Sequence, residues 1–98
     1  MKRFQHITVD QTKTLIANGN AAVVDIRDGL SYQRSHIAGA TQLDNSNVAT
    51  FLQNTPRQTP VVVYCYHGVS SQGVAQYLVE QGFEEVYSMD GGFAAWYE

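Results

Sequence analysis

The feature that most restricts the fold is a rhythm. Short runs rich in β-branched residues alternate with helix-like stretches, and turn residues mark the changes. The clearest run is Val61-Val62-Val63-Tyr64. A strand solvated on one face alternates apolar with polar residues, whereas a continuous apolar run suits a strand buried on both faces, as in a parallel sheet. Ala21–Ile26 repeats the pattern, broken only by Asp25. Ile7 is expected to end a short first strand, Ala40–Leu43 to form a weak one, and Val86–Ser88 the last. Between them, Thr8 and Gln11 have the spacing of a capping box, with Leu15, Ile16 and Ala17 on the apolar face of the helix that follows. Further helices are predicted over Leu30–Ser35, around Val48, Phe51 and Leu52, over Ser71–Gln81 with Gly82 at its end, and from Phe93 after the Asp90-Gly91-Gly92 turn. Such alternation predicts an α/β domain, with a mainly parallel central sheet of about five strands flanked by helices on both faces.

Length and charge narrow the function. A chain of 98 residues is expected to form one domain, 1–98. Six Lys and Arg against nine Asp and Glu give a net charge of −3, and no basic cluster exceeds Lys2–Arg3. Nucleic-acid binding and acidic-membrane binding are therefore not expected. The longest apolar run, Val61 to Tyr66, is far below the roughly 20 residues that cross a bilayer. Met1 to His6 lead into no apolar stretch, which predicts no signal peptide. One cysteine, Cys65, excludes an internal disulfide and suits a reducing compartment, most simply the cytoplasm.

In open parallel sheets ligands bind beyond the carboxyl ends of the strands, which directs attention to Asp25–Asp28 and Cys65–Ser71. Cys65 ends the most apolar strand, and a helix begins at Ser70 or Ser71. The loop between, Tyr66, His67, Gly68 and Val69, is short enough to curl back on itself, and Gly68 permits a positive φ. Successive N–H groups can then converge on the cysteine sulfur at a helix N-terminus, an arrangement that stabilises an anion. A hundredfold gain in thiolate over an ordinary cysteine requires about 2.7 kcal/mol. A helix N-terminus supplies roughly 0.3–2 kcal/mol, and each hydrogen bond to a charged group roughly 1.5–3 kcal/mol. Two or three inward N–H groups therefore suffice. The hydroxyls of Ser70 and Ser71 are further candidate donors, or plain N-caps of the helix, and His67 is a candidate cation. A cysteine at the end of a buried strand is commonly an inert small hydrophobe; the loop that follows reverses that reading.

With the loop in view, the chain resembles the rhodanese (thiosulfate sulfurtransferase) family in three segments. These are Val24-Asp25-Ile26-Arg27-Asp28 with Tyr32 and His36-Ile37-Ala38-Gly39-Ala40; the loop Cys65-Tyr66-His67-Gly68-Val69-Ser70 with Ser71; and Val86-Tyr87-Ser88-Met89-Asp90-Gly91-Gly92-Phe93-Ala94-Ala95-Trp96. They place the core motifs over roughly residues 17–98. The loop and Gln76-Tyr77-Leu78 are most like the single-domain bacterial type found with the glycerol 3-phosphate regulon. Ser35 stands where the family has Gly, and the chain stops at Glu98, so the last helix is expected to be short. The resemblance implies that Cys65 attacks the outer sulfur of thiosulfate, holds it as a persulfide and passes it to a thiophilic acceptor: cyanide, a dithiol, or a thioredoxin-like protein. Tyr66, His67, Gly68, Val69, Ser70 and Ser71 would bind substrate, with no cofactor and no metal. A sulfur carrier loaded by a protein persulfide, or a binding module without catalysis, are the alternatives.

Other residues read more plainly. Asp25, Arg27 and Asp28 are expected to form a hydrogen-bonded turn or ion pair at the pocket edge, with Arg27 a candidate for attracting anions. His36 is expected in a turn, Gly91-Gly92 in the strand-to-helix turn, and Trp96 in packing. Cys65 and His67 lack the paired spacings of zinc ligands. A cysteine-based phosphatase would use a longer loop ending in Arg to hold the oxyanion, yet no Lys or Arg lies between Val61 and Tyr77.

Overall fold

A computed structural model describes residues 3–96. Ten elements alternate along them: β1 (Gln5–Ile7), α1 (Val9–Ala17), β2 (Ala22–Asp25), α2 (Gly29–Arg34), β3 (Thr41–Gln42), α3 (Val48–Asn54), β4 (Val61–Tyr64), α4 (Ser70–Glu80), β5 (Val86–Met89) and α5 (Gly92–Trp96). The strands form one five-stranded sheet in the order β1-β5-β4-β2-β3, with every neighbouring pair parallel. The expected strand alternation is therefore present. Residues 1, 2, 97 and 98 lie outside the described residues, and with them the expectation of how the last helix ends.

β4 sits at the centre of the sheet, and its four side chains are fully buried, two on each face. Val62 and Tyr64 join Ile7, Val23, Met89 and Phe93 in a core covered by α1, α2 and α5. Val61 and Val63 join Val24, Ala75, Leu78, Phe83 and Val86 in a second core, beneath α3 and α4. Period-two alternation thus divides one apolar run between two cores. Burying each valine of the run contributes roughly 1.5–3 kcal/mol.

Two strands are shorter than the sequence suggests. β2 spans Ala22–Asp25, because the Ile26 N–H still reaches the Tyr64 carbonyl (3.1 Å) but the Asp25 side chain then takes the Arg27 N–H (2.8 Å) and turns the chain. β3 keeps only Thr41–Gln42, paired to Val24 and Asp25 at the sheet edge. At the first helix the expected capping box forms in full. Thr8 Oγ1 accepts from the Gln11 N–H (3.1 Å), and Gln11 Oε1 accepts from the Thr8 N–H (3.0 Å).

Candidate active site

Cys65 leaves β4 at its carboxyl end with 6% of its surface exposed. The chain turns through residues 66–69, with Gly68 at φ +87°, and enters α4 at Ser70. Two N–H donors and one hydroxyl meet the sulfur, and the thiol itself donates to that hydroxyl. The Gly68 N–H donates at 3.2 Å, the Ser71 N–H at 3.3 Å, and the Ser71 hydroxyl stands at 3.4 Å. Ser71 Oγ in turn lies 2.7 Å from Ser88 Oγ on β5, and both serines are buried. Burial pushes the Cys65 thiol up, but the Ser71 hydroxyl together with the Ser71, Gly68 and His67 N–H groups outweighs it, and the thiol titrates below its ordinary value.

The His67 N–H faces inward because the carbonyl of its own peptide is held outward. Cys65 O accepts from the Phe93 N–H (2.8 Å) and Tyr66 O from the Ala94 N–H (3.1 Å), both in the first turn of α5. A trans peptide points its C=O and N–H in opposite directions. Drawing the Tyr66 carbonyl towards α5 therefore swings the His67 N–H towards the sulfur. Gly92 makes that contact possible. A Cβ there would lie 2.5 Å from Cys65 O and from the Tyr66 carbonyl group, and its φ is +61°. The sequence reading took Gly91-Gly92 as a turn alone and passed over Ser88. The signal for Ser88 was its position two residues after Val86, on the strand face that packs beneath α4.

The loop side chains differ in what they do. Tyr66 is half exposed, with its ring 5.3 Å from the Arg27 guanidinium and its phenol hydrogen-bonded to the Ser31 hydroxyl, which donates to Asp28 Oδ1 at 2.8 Å. Its polar tip is thus fastened to α2. The side chains of His67, Val69 and Ser70 are exposed, and His67 addresses the sulfur through its main chain. The helix cap is a correction. Neither Ser70 nor Ser71 is the N-cap; Val69 is, without a side-chain bond. The physical reason is that the cysteine sulfur accepts the second helical N–H, the bond an N-cap oxygen usually takes.

Asp25 and Arg27 form the expected ion pair. Nε donates to both carboxylate oxygens (3.1 Å each) and Nη2 to Oδ2 (2.7 Å), while Nη2 also donates to the Ser35 carbonyl at 2.6 Å. The guanidinium lies 4.1 Å from the Phe93 ring centroid. Arg27 therefore fastens the ends of β2 and α2 to α5, and its charge is answered by a buried carboxylate rather than left free for an anion. Burial, and after it a hydrogen bond to Asp25, hold the Tyr64 phenol protonated, far above its ordinary range. His36 stacks on Tyr32 (3.9 Å) and bonds to the Tyr32 carbonyl (2.7 Å), a turn residue as expected.

A cleft of about 290 Å³ opens over the sulfur, lined by Ile26, Arg27, Asp28, Cys65, Tyr66, His67, Val69 and Ser70. Among the described residues no group of three His, Cys, Asp or Glu side chains is placed to hold a metal ion. The site therefore offers a buried thiol, its ionised form favoured by hydrogen bonds, at the floor of an open cleft, a group suited to nucleophilic attack on a small electrophile.

The model of the rhodanese-like domain family matches residues 8–98. A thiosulfate sulfurtransferase GlpE of Pseudoalteromonas translucida is 53% identical over 93 residues, covering 95% of this chain and 89% of that protein. Another GlpE, from Shewanella oneidensis, is 50% identical over 98 residues, covering 100% of this chain and 97% of its own. Among solved structures, the rhodanese-like domain of an Anabaena protein superposes with a TM-score of 0.82 at 24% identity, covering 99% of this chain and 74% of that one. The parallel sheet, the cysteine loop between β4 and α4, and these matches agree: the chain belongs to the rhodanese-like domain family.

Proposed function

We propose that this chain is a thiosulfate sulfurtransferase, with residues 1–98 acting as one catalytic unit. The observation that carries the reading is the convergence of Gly68 N–H, Ser71 N–H and the Ser71 hydroxyl on Cys65 Sγ. The names of the two GlpE relatives support the reaction class.

The Cys65 thiolate attacks the outer sulfur of thiosulfate. A bond forms between Cys65 Sγ and that sulfur, the sulfur–sulfur bond of thiosulfate breaks, and sulfite leaves with the electron pair. The product is a persulfide whose terminal sulfur carries the negative charge, so the same loop amides that held the thiolate steady the new anion. An acceptor nucleophile (cyanide, a dithiol, or a thioredoxin-like protein) then takes the terminal sulfur and returns the electron pair to Cys65 as thiolate. No group besides the cysteine is needed to move electrons. Tyr66, His67, Gly68, Val69, Ser70 and Ser71 form the wall and floor against which thiosulfate would lie.

No helix among the described residues is long and apolar enough to cross a membrane. A free thiol at the reactive position supports a cytoplasmic setting. The test is thiocyanate formation from thiosulfate and cyanide. The intact protein should produce it and gain one sulfur on Cys65, and Cys65→Ser should do neither. A protein that takes up no sulfur would instead be a binding module.

A further inference from the structure

Beneath the cysteine, away from the cleft, two hydroxyls form a short chain. Ser71 Oγ lies 3.4 Å from Cys65 Sγ and 2.7 Å from Ser88 Oγ. Ser71 is the second residue of α4, and Ser88 stands on β5 in register with Val63, two residues before the cysteine. Both serines are buried, and neither lines the cleft in which a reactant meets the sulfur. A hydroxyl is costly to bury without a partner. Among the described residues the Ser71 hydroxyl finds only the sulfur and Ser88, and the Ser88 hydroxyl finds only Ser71.

We propose that the Ser71–Ser88 hydroxyl pair makes Cys65 a good leaving group, so that its persulfide gives sulfur away rather than storing it. The inference rests on the sulfur-transfer reading above, and it assigns Ser88 a positioning role in the unloading step. A count of protons carries it. Beside a thiolate, the Ser71 hydroxyl donates to Sγ and the Ser88 hydroxyl donates to Ser71 Oγ, so both protons are used. Beside a neutral thiol the chain reverses. The S–H donates to Ser71 Oγ, Ser71 donates to Ser88 Oγ, and the Ser88 proton has no acceptor left among the described residues. A buried donor without its bond is unfavourable, so the pair favours charge on Sγ. Burial raises the Cys65 titration, and of the groups that lower it the Ser71 hydroxyl counts most.

The place of the pair decides which step it serves. In the persulfide the charge sits on the terminal sulfur, which must face the cleft where the acceptor arrives. Sγ is then a neutral, two-bonded atom and a weak acceptor, and the hydroxyls beneath it meet no charge. Unloading returns the charge to Sγ as the sulfur–sulfur bond breaks. The pair therefore bonds more strongly as that step proceeds, which is the condition for accelerating it. Loading runs the other way. A thiolate held by donors is a weaker nucleophile, just as it is a better leaving group. At neutral pH the larger ionised fraction outweighs that loss, so the opposition shows only where the thiol is fully ionised.

The test separates the two steps at one alkaline pH at which the thiol is ionised in every variant. The titratable and charged side chains on the cleft, Arg27, Asp28, Tyr66 and His67, are the same in all of them. For unloading, Cys65 is charged with inorganic tetrasulfide: Sγ bonds the end sulfur, and trisulfide leaves with the electron pair. Cyanide is then added. A carbon–sulfur bond forms, the sulfur–sulfur bond breaks, Sγ keeps the electron pair, and the thiocyanate released gives the rate. Loading is the rate of sulfur gain from thiosulfate, read by intact mass. The ratio of persulfide to thiolate in a fixed mixture of thiosulfate and sulfite gives the equilibrium.

Loss of a donor that favours the thiolate about tenfold divides about evenly between the two directions. Ser71→Ala should therefore unload about threefold slower, load about threefold faster and hold about tenfold more persulfide at equilibrium. Ser88→Ala should move the same three readings in the same directions, by about twofold in each rate and about fourfold in the ratio. The double variant should match Ser71→Ala, because Ser88 reaches the sulfur only through that hydroxyl. A purely structural part for Ser88 would slow both steps together. Ser88→Ala rates that fall by one common factor, that do not change, or that add to the Ser71→Ala effect would overturn the proposal. A wild-type protein that takes sulfur from tetrasulfide but none from thiosulfate would instead overturn the transfer reading, and the unloading rates would still be measured.

Discussion

Replacing Gly92 by alanine tests whether α5 holds the cysteine loop in shape. The backbone there has φ +61°, and the added Cβ would stand 2.5 Å from Cys65 O and from the Tyr66 carbonyl carbon and oxygen. A left-handed backbone costs an L-residue about 1–2 kcal/mol. Forcing a methyl against main chain that cannot rotate away adds about 1–3 kcal/mol. The loss should therefore be roughly 2–5 kcal/mol, and in a domain of this size each kcal/mol moves the Tm by about 4–8 °C. Gly19→Ala is the control. Its φ is +85°, but nothing lies within 4 Å of the added Cβ, so only the backbone contribution applies. Urea unfolding should thus rank Gly92→Ala well below Gly19→Ala. The second readout is the thiol. Displacing the Tyr66 carbonyl from the Ala94 N–H turns the His67 N–H off the sulfur, so Cys65 should titrate higher in Gly92→Ala and unchanged in Gly19→Ala. Equal destabilisation in the two variants, with an unmoved thiol, would refute the reasoning.

The remaining predictions concern the donors and the bracket around them. Ser71→Ala removes one hydroxyl donor to the thiolate, worth roughly 1.5–3 kcal/mol; the Cys65 titration should move up and the rate of sulfur uptake at neutral pH should fall about tenfold or more. Ser88→Ala should produce a smaller rise, and the double variant should match Ser71→Ala, because Ser88 acts on the sulfur through the Ser71 hydroxyl. Asp25→Ala leaves the Arg27 guanidinium buried without its carboxylate, a loss of about 3–5 kcal/mol by urea unfolding. Because the folded thiol titrates below its unfolded value, Cys65 adds stability that is fully present above the unfolded pKa of about 8.5 and is lost as pH falls through the folded value. Cys65→Ser should flatten that part of the stability–pH curve.

The strands were legible where burial alone decides them. Val61-Val62-Val63-Tyr64 has no polar residue to expose, so a central parallel strand was the available reading, and Cys65 at its end pointed to the site. β3 was harder, since an edge strand of two residues carries almost no periodicity. The site's floor was legible as local chain geometry, a glycine in a short loop before a helix. Its ceiling was not. Gly92 and the Phe93 and Ala94 N–H groups come to the loop across more than 25 residues of sequence, and Ser88 acts on the sulfur through another hydroxyl. Such contacts exist only after β4 and β5 lie side by side. Ser71, expected as a cap or a donor, is not the cap, because the sulfur accepts the helical N–H that a capping oxygen would take.

The most direct measurement is the ultraviolet thiolate titration of Cys65 in the folded protein, with Cys65→Ser as the blank. Hydrogen bonds from the loop amides and Ser71 predict a midpoint clearly below the roughly 8.5 of a free cysteine, and one that rises when Ser71 becomes alanine. A midpoint at or above that ordinary value, the same in both proteins, would contradict the claim that the loop exists to keep this thiol ionised.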